Sequence, residues 1–396
     1  MWNSKQTAGM LAACLILRAG TLCAADDRLQ LHGFFSQAAV HTDANNVGGN
    51  SDGGWGLDMR EVGANISYRP NPDWLLSGQA LARWAGPADM GDLRVDYAFV
   101  DRTLSSDEGG RVGLQVGKIK NPFGLYNTTR DVAHTRTGVL LPQAIYFDQI
   151  RDTFLAAPGV SLNGSRFYAD SSLEWTFNIM RPEVGSEAFA AAILSPVPGR
   201  FEGQTSWLGQ VLWEQAGARW RLGLTLGSLD MHYKPGVGDW AGPGQITLNT
   251  GVFSLEHNRE KWTFSAEYAL TRQVRGGFLP MVPNNGPDHD STMEAGYLQV
   301  LWRGMPRWQI YGRYEALYFD REDRDGAAFS VRWGGTPAYQ AYARDKVLGV
   351  RYDPTPSWSL FAEYHDVTGT NWLPVVDNPM PQRDWHMLLL QAAYRF

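Results

Sequence analysis

The amino-acid sequence predicts an all-β fold, a transmembrane antiparallel β-barrel of about sixteen strands with a long third loop folded into the lumen. Short segments alternate polar and apolar side chains, and short and long connections follow one another along the chain. Mean hydropathy is -0.31, although aromatic residues make up 12% of the chain. A membrane barrel accounts for both values, because half of each strand faces water while aromatic side chains mark the two interfaces.

The alternating segments have roughly the ten residues that a tilted strand needs to cross an outer membrane. In one of them, Val62, Ala64 and Ile66 alternate with polar or small side chains, which is the period of a strand with one apolar face. Segment 245–257 is less regular and is a candidate for a β-bulge. Segment 92–103 is predicted to place four apolar side chains on one face: Leu93, Val95, Tyr97 and Phe99.

Tryptophan follows several of the short turns directly. Five such residues begin alternating segments: Trp74, Trp220, Trp262, Trp308 and Trp358. One tryptophan after a turn merely starts an amphipathic strand, but five in phase predict a girdle at one membrane interface. The short turns would then be periplasmic and the long connections external.

Residues 1–25 are predicted to be a signal peptide, and residues 26–396 the barrel. The first segment has a positive charge, a short apolar run and small residues before the expected cleavage site. A lipid anchor at Cys23 is the alternative, although Leu22 is a poor match for the small residue expected before such a cysteine. Both cysteines lie in the removed segment, so no disulfide is expected in the mature chain. No later apolar run is long enough to predict a spanning helix.

The longest connection, 120–154, follows the alternating segment 111–119. The run GKIKNPFGL over 117–125 spans the junction between them. This run resembles the G-x-(aromatic or aliphatic)-K-x-P-F-x-L run of the phosphate-selective (O/P-type) porins of Gram-negative outer membranes. The resemblance covers the mature chain in pattern and is sharp at this run. The last residues, 394–396, also resemble the aromatic-x-Phe terminus by which outer-membrane barrels are recognised for assembly.

The resemblance implies a homotrimer in outer-membrane lipid whose third external loop, 120–154, narrows the bore. The chain departs from the phosphate-selective members of the family, because it has no long series of inward arginines and its lumen candidates carry both signs. Phosphate is therefore not the predicted solute.

Fixed charges are expected to set the selectivity of such a constriction, because little water screens them in a narrow path. Candidates on or beside the loop are Lys118, Lys120, Arg130, Asp131, His134 and Arg136. Candidates that the strands would point into the lumen are Arg83, Arg94, Asp96, Arg221, Glu267, Arg313, Glu315 and Glu363. Opposed charges would order dipolar solutes in a transverse field; the alternative for each strand charge is a solvated wall residue or a structural salt bridge. The lone loop histidine gives no metal site, and no cofactor is predicted.

The expected function is passive diffusion of small hydrophilic solutes, with a mild anion preference. The alternative is a substrate-specific channel for an anionic or carbohydrate nutrient, which would need an aromatic track or a basic ladder along the bore. The alternation of side chains would allow three aromatic residues to point into the lumen and form such a track: Tyr311, Phe319 and Phe361. The net charge of -6 argues against nucleic acid as a partner.

Catalysis is not expected, because no set of serine, histidine and aspartate residues lies in a recognisable catalytic sequence motif. His289 stands between Asp288 and Asp290 in a long loop, which makes an outer-membrane protease or lipase a third class of function. The length leaves no room for the plug of a TonB-dependent transporter.

Overall fold

The strands follow the alternating segments of the sequence and belong to one antiparallel sheet. The structure, a computed structural model, describes residues 28–86, 89–194, 197–278 and 289–396. The predicted signal peptide, 1–25, lies outside the described residues, and export stays a prediction.

The sheet contains seventeen described segments. The first seven are β1 (Leu29–Thr42), β2 (Arg60–Asn71), β3 (Trp74–Trp84), β4 (Met90–Asp107), β5 (Gly110–Lys120), β6 (Ala156–Phe167) and β7 (Ser171–Met180). The next five are β8 (Arg200–Gly203), β9 (Ser206–Gln215), β10 (Trp220–Lys234), β11 (Gly244–Arg259) and β12 (Trp262–Gly276). The last five are β13 (His289–Met305), β14 (Trp308–Tyr318), β15 (Tyr342–Thr355), β16 (Trp358–Gly369) and β17 (Asp384–Arg395).

The sheet closes on itself because β1 pairs with both β2 and β17. β8 and β9 pair with successive parts of β10, so these two segments share one place in the ring. The seventeen described segments therefore form a closed barrel with sixteen strand positions, which confirms the predicted fold class. Among the seventeen described segments, closure leaves no free sheet edge, as a sheet that spans lipid requires.

Connections between consecutive strands alternate in length, as predicted. Two residues join β2 to β3, β4 to β5 and β11 to β12, whereas the connections 43–59, 121–155 and 319–341 are long. The five predicted girdle tryptophans are the first residues of β3, β10, β12, β14 and β16, and all five are exposed. They therefore lie together at the end of the barrel that carries the short turns.

The outer surface of the barrel is apolar and its inner surface is mixed. Along β10, Leu222, Leu224 and Leu226 are exposed, whereas the intervening Gly223 and Thr225 are buried. An apolar exterior is the reverse of what a water-soluble sheet presents, and it is what acyl chains require.

One predicted strand face is wrong. In β4, Leu93 is 77% exposed, but Tyr97 is only 8% exposed. The register between β3 and β4 shifts between Gln79 and Ala80, which leaves Asp96 as the extra residue of a bulge. A bulge reverses the alternation, so Tyr97 joins Asp96 on the inner face instead of sharing the face of Leu93.

The second expectation about a bulge is also wrong. The candidate segment 245–257 lies within β11, whose register is continuous with both β10 and β12.

Short helices occur in the connections: α1 (Arg151–Leu155), α2 (Glu187–Leu194) and α3 (Ala327–Arg332). α3 begins after Gly326, whose φ of 75° is in the left-handed region. The carboxylate of Asp323 accepts hydrogen bonds from the first-turn N–H groups of Ala328 and Phe329, at 3.0 and 2.6 Å. Within the described ranges, none of the helices combines the length and apolar character needed to cross a bilayer.

Candidate pore constriction

The connection between β5 and β6, residues 121–155, corresponds to the predicted loop 120–154 and is called the β5–β6 loop below. Its two ends are joined, because the Asn121 N–H donates to the Leu155 carbonyl over 2.9 Å. Asn127 Nδ2 donates to the carbonyls of Asn121 and Phe154, at 3.0 and 2.7 Å. The loop therefore begins and ends at the same place on the barrel, and hydrogen bonds within the loop hold its two ends together.

The Pro-Phe-Gly turn of the sequence motif has a geometric reason. Gly124 has a φ of 57°, and a Cβ at this position would meet the Tyr146 hydroxyl and the Glu267 carboxylate. The Gly124 carbonyl accepts a hydrogen bond from Gln210 Nε2 over 2.8 Å, and its N–H donates to Thr225 Oγ1 over 3.3 Å. Glycine is required here because the backbone turns left-handed while pressed against the inner wall.

Three buried glutamates on alternate strands hold the backbone of the loop. Glu267 on β12 accepts from the Leu125 N–H over 2.9 Å. Glu315 on β14 accepts from the Ala144 N–H over 2.8 Å. Glu363 on β16 accepts from the Leu140 N–H over 3.0 Å. Carboxylate acceptors make these hydrogen bonds stronger than neutral ones.

Glu267 is the most heavily bonded of the three. Besides the loop N–H, it accepts hydrogen bonds from the hydroxyls of Tyr146 (2.5 Å), Ser254 (2.6 Å) and Tyr297 (3.0 Å). Tyr146 belongs to the β5–β6 loop, so two groups of the loop converge on one wall carboxylate. Burial, followed by the nearby Glu267 carboxylate, raises the pKa of the Tyr146 hydroxyl well above its usual value, which keeps it protonated as a donor.

On the strands β2, β3 and β4, charged side chains hold the loop instead. Arg83 pairs with Glu61 over 3.2 Å and with the loop residue Asp148. The loop's Arg136 pairs with the same Glu61 over 2.8 Å, and its Arg151 pairs with Asp96 over 2.8 Å. The full network joins five arginines, Arg83, Arg94, Arg130, Arg136 and Arg151, to five carboxylates, Glu61, Asp89, Asp96, Asp148 and Asp152. The signs balance within it.

The pKa of the Asp148 carboxyl reflects the arginines that lie nearest to it. Burial by itself would raise the pKa of Asp148, but Arg83 and Arg130 outweigh it and lower the value to about 2. The pKa of Arg130 is also lowered, to about 9, because burial, the largest influence, and the neighbouring arginines outweigh the opposing effect of Asp148. Asp148 is therefore ionised at every physiological pH.

The loop also has an apolar side. Val139, Leu140 and Ile145 are buried in one cluster with the inward residues Met387 and Leu389 of β17. Burying such side chains stabilises the folded state by roughly 1.5–3 kcal/mol each. These apolar side chains therefore pack the loop against inward residues of the barrel wall.

His134 lies at the loop segment that contacts β15 and β16. Its Nδ1 is 3.0 Å from Ser359 Oγ, and Arg351 Nη1 donates to the His134 carbonyl over 2.9 Å. Burial, followed by the charges of Arg395 and Arg351, lowers the pKa of His134 to about 4. The imidazole is consequently neutral at pH 7 and acts as a hydrogen-bonding group.

The sequence-predicted basic residues fall into two groups. Arg130 is 3% exposed, and its guanidinium donates to the carbonyls of Tyr146 and Phe147 within the loop itself. Arg313 is equally buried and pairs with Glu315 over 3.1 Å. These groups hold the structure together and are not in contact with solvent.

The second group is solvent-accessible. Lys120 retains 23% side-chain exposure while pairing with Asp131 over 2.9 Å, and Lys118 pairs with Glu183 over 2.6 Å. Arg94 pairs with Asp89 over 2.7 Å, and Arg221 with Glu214 over 3.0 Å. Each accessible cation thus has a carboxylate partner, which is the salt-bridge alternative considered for the strand charges.

A polar cavity of about 380 Å³ lies beside the start of the loop, on the inner side of β5, β6, β7 and β9. Its lining includes Arg111, Gln115, Lys120, Asn163 and Gln210. Arg111 was missed as a candidate, although it stands at the start of β5 on the same face as Gln115. Glu61 and Asp89 were missed too. Glu61 alternates with the outward Val62, which could have marked it as an inward charge, but Asp89 lies outside any alternating segment.

The candidate aromatic track is only partly a track. Tyr311 and Phe361 are buried, and the Tyr311 hydroxyl donates to Glu363, so both belong to the packed wall. Phe319 follows β14 directly, at the end of the barrel that carries the long connections, and its ring centroid is 6.0 Å from that of His289. Asp290 pairs with Arg272 over 2.6 Å, and Asp288 lies outside the described residues.

Comparison with solved structures finds the same fold in outer-membrane proteins. The outer membrane channel DcaP of Acinetobacter baumannii matches with a TM-score of 0.58 at 13% identity, covering 93% of this chain and 97% of that chain. The anion-selective porin of Comamonas acidovorans gives 0.57 at 10% identity, covering 93% and 99%. OmpT of Vibrio cholerae, an outer membrane protein described in a trimer form, gives 0.56 at 12% identity, covering 93% and 99%. No protein-family model and no curated protein matches the sequence.

These likenesses define the class of fold, a closed sixteen-strand antiparallel barrel of the kind found in outer-membrane porins. At 10–13% identity they concern the fold alone. The resemblance to phosphate-selective porins stays a prediction, and function is argued from the side chains of this chain.

Proposed function

We propose that this protein is an outer-membrane channel through which small hydrophilic solutes diffuse passively, with the β5–β6 loop folded into the lumen to narrow the bore. One observation carries the proposal. The loop binds strands on opposite sides of the barrel, through Asp148 to Arg83 on β3 and through Leu125 to Glu267 on β12.

The positions of these strands in the ring give the reason. Because β8 and β9 share one position, β12 occupies the eleventh place and β3 the third. Eight of sixteen positions separate them, which is half the circumference. A segment that contacts inner-face residues at both places must cross the bore, and a crossing segment divides the lumen into narrower passages.

The passage favoured by the polar side chains runs beside the loop, along the cavity lined by Lys120 and Arg111. Two basic side chains and one acidic one, Glu174, line that cavity. Lys120 and Arg111 are themselves paired, with Asp131 and Asp101 respectively, so their fields are partly neutralised. The lysine and arginine side chains remain accessible, whereas their partners Asp131 and Asp101 are buried, and this supports the proposed mild anion preference.

The proposed surroundings are outer-membrane lipid around the apolar exterior and two further copies of the chain. The trimer form described for OmpT of Vibrio cholerae supports a homotrimer through the shared fold. Size-exclusion chromatography with light scattering in detergent measures the copy number directly. The protein is proposed to act as a channel without catalysis.

A second candidate, a channel specific for an anionic nutrient, is favoured by a separate apolar cavity on the other side of the loop. That cavity is the subject of the next subsection.

Planar-bilayer recordings test the proposal. The native protein is expected to give discrete conductance steps, with a reversal potential slightly on the anion side in a KCl gradient. Lys120→Glu should move the reversal potential toward the cation value, because it replaces an accessible cation in the polar cavity. Lys346→Glu is the matched control: this lysine is exposed on the outer surface of β15 and pairs with Asp366 over 3.0 Å.

Absence of any conductance from folded, inserted protein would contradict the channel function. An unchanged reversal potential in Lys120→Glu would instead place the conducting path elsewhere in the barrel.

A further inference from the structure

An apolar cavity of about 500 Å³ lies on the side of the β5–β6 loop that faces the long connections. Apolar side chains from the loop, from β10 and from the connection after β14 contribute to its lining: Phe123, Ile145, Leu229, Met231, Phe319 and Phe329. Its volume falls in the range of roughly 300–1,000 Å³ that is usual for small-molecule sites. A purely water-filled pore has no need of such a wall.

One cation stands in this apolar lining without a counter-charge. Arg275, near the end of β12, is 8% exposed and lines the cavity. Its guanidinium donates to the Ile193 carbonyl over 3.1 Å and to Gln273 Oε1 over 3.0 Å, while its Nε has no hydrogen-bond partner. Across the four described ranges, no carboxylate lies within ion-pairing distance of Arg275.

A second donor in the same lining is also unsatisfied. The buried Trp333 Nε1 has no hydrogen-bond partner. A continuous aromatic wall joins it to the arginine: the guanidinium lies 5.4 Å from the Phe319 ring centroid, Phe319 lies 5.3 Å from Phe329, and Phe329 lies 6.1 Å from Trp333. Arg275 Nε and Trp333 Nε1 are both hydrogen-bond donors without a partner, so a ligand that pairs with them must offer an acceptor.

From these contacts we infer that the cavity binds a small amphipathic carboxylate, with an aromatic or short aliphatic body and a single anionic group. The carboxylate would accept hydrogen bonds from Arg275, since an uncompensated buried cation is unfavourable and guanidinium matches carboxylate in shape. The body would replace water against the phenylalanine and aliphatic lining. Such a carboxylate would be a substrate of the proposed channel. Only the route by which it reaches the cavity depends on that proposed function.

The lining also argues against the other nutrient classes. A sugar could pair some of its hydroxyls with threonine and glutamine side chains of the lining, but it brings no charge and would leave the buried Arg275 uncompensated. Inorganic phosphate would satisfy the arginine but leave the apolar wall in contact with water. Selectivity therefore requires both the carboxylate and the apolar body.

Equilibrium binding to the full-length protein in lipid nanodiscs tests the inference without requiring conduction. Isothermal titration calorimetry would compare benzoate with benzyl alcohol, which lacks the charge, and with lactate, which lacks the ring. Benzoate should bind at least tenfold more tightly than either. Arg275→Gln should weaken benzoate binding at least tenfold. Arg272→Gln, an exposed arginine on the same strand that pairs with Asp290, should change it less than twofold.

Absence of benzoate binding to native protein would overturn the inference, and so would lactate binding as tightly as benzoate or an effect of Arg275→Gln below twofold. Should Arg275→Gln fail to fold, the three-ligand comparison on native protein decides alone. Conductance in KCl is recorded separately: a silent bilayer with retained benzoate binding contradicts the channel, whereas open channels without benzoate binding contradict the carboxylate site.

Discussion

The two walls that hold the β5–β6 loop use different chemistry. On β2, β3 and β4, arginines and carboxylates of the wall pair with charged side chains of the loop, as Arg83 does with Asp148. On β12, β14 and β16, glutamates accept hydrogen bonds from the loop backbone, as Glu363 does from the Leu140 N–H. The first wall therefore depends on the charged side chains that the loop carries, whereas the second depends mainly on the path of the loop backbone, with the Tyr146 hydroxyl as a further donor to Glu267.

This difference has an energetic consequence. In a balanced ionic network, removal of one group leaves its partners buried and uncompensated, which costs more than the pair contributed. A glutamate that accepts neutral donors can be exchanged for an amide without creating a surplus charge, so its loss is milder. The ionic wall should accordingly be the more sensitive of the two to single substitutions.

The largest effect is expected from Arg83→Gln, which removes the cation shared by Glu61, Asp89 and Asp148. Loss of a buried ion-pair partner lowers the free energy of unfolding by about 3–5 kcal/mol. Urea unfolding of the refolded barrel in detergent, followed by tryptophan fluorescence, measures the change. Arg272→Gln removes an exposed ion pair and should lower stability far less, because solvent screens such a pair. An equal fall in the free energy of unfolding in the two variants would show that the buried network stabilises the protein no more than an exposed ion pair does.

A smaller effect is expected from Glu267→Gln on the opposite wall. The amide retains one acceptor oxygen but loses the charge that strengthens four hydrogen bonds, so stability should fall by about 1.5–3 kcal/mol. The freed Leu125 backbone should also make the loop more mobile. Hydrogen–deuterium exchange of the loop peptides measures this, and Glu214→Gln, whose carboxylate pairs with Arg221 on β10, provides the comparison. Unchanged exchange at 121–130 in Glu267→Gln would refute the anchoring role.

The smallest effect at neutral pH is expected from His134→Gln, since the imidazole is uncharged there and one hydrogen bond to Ser359 contributes about 1 kcal/mol. The difference lies in the pH dependence. The pKa of His134 is lowered from 6.5 to about 4, so the unfolded chain takes up a proton that the folded chain does not as the pH falls between these values.

Native stability should therefore decline from pH 6.5 to pH 4 by more than that of His134→Gln. Unfolding curves of both proteins at pH 7.5, 5.5 and 4.5 give the comparison. Parallel curves at all three pH values would mean that His134 titrates normally in the folded protein.

Much of the barrel was predictable because the relevant signals are local. Alternation within Val62, Ala64 and Ile66 reports one strand, and a tryptophan such as Trp262 after a two-residue turn reports its start. The bulge at Asp96 was not predictable, because alternation continues in the letters of the sequence while the backbone register slips. The inward apolar face of β17 was also missed: its residues Met387 and Leu389 are as apolar as the outward Leu388, so the pattern does not distinguish the faces.

The pore-lining role of the candidate charges stays a prediction, and the partner of each charge could not be read from the sequence. Arg130 and Lys120 look alike there, yet the first is bonded to carbonyls inside the loop and the second reaches a polar cavity. Arg275 drew no attention because nothing nearby in the sequence marks it as an isolated cation.

The sequence by itself determined the number of strands, the alternation of short and long connections and the position of the long β5–β6 connection, because each follows from the period of neighbouring side chains and from turn residues. Only the tertiary structure decided which charges meet. Barrel closure brings together groups such as Leu140 and Glu363, which are far apart in the chain, and a one-residue slip in register exchanges the inner face for the outer one.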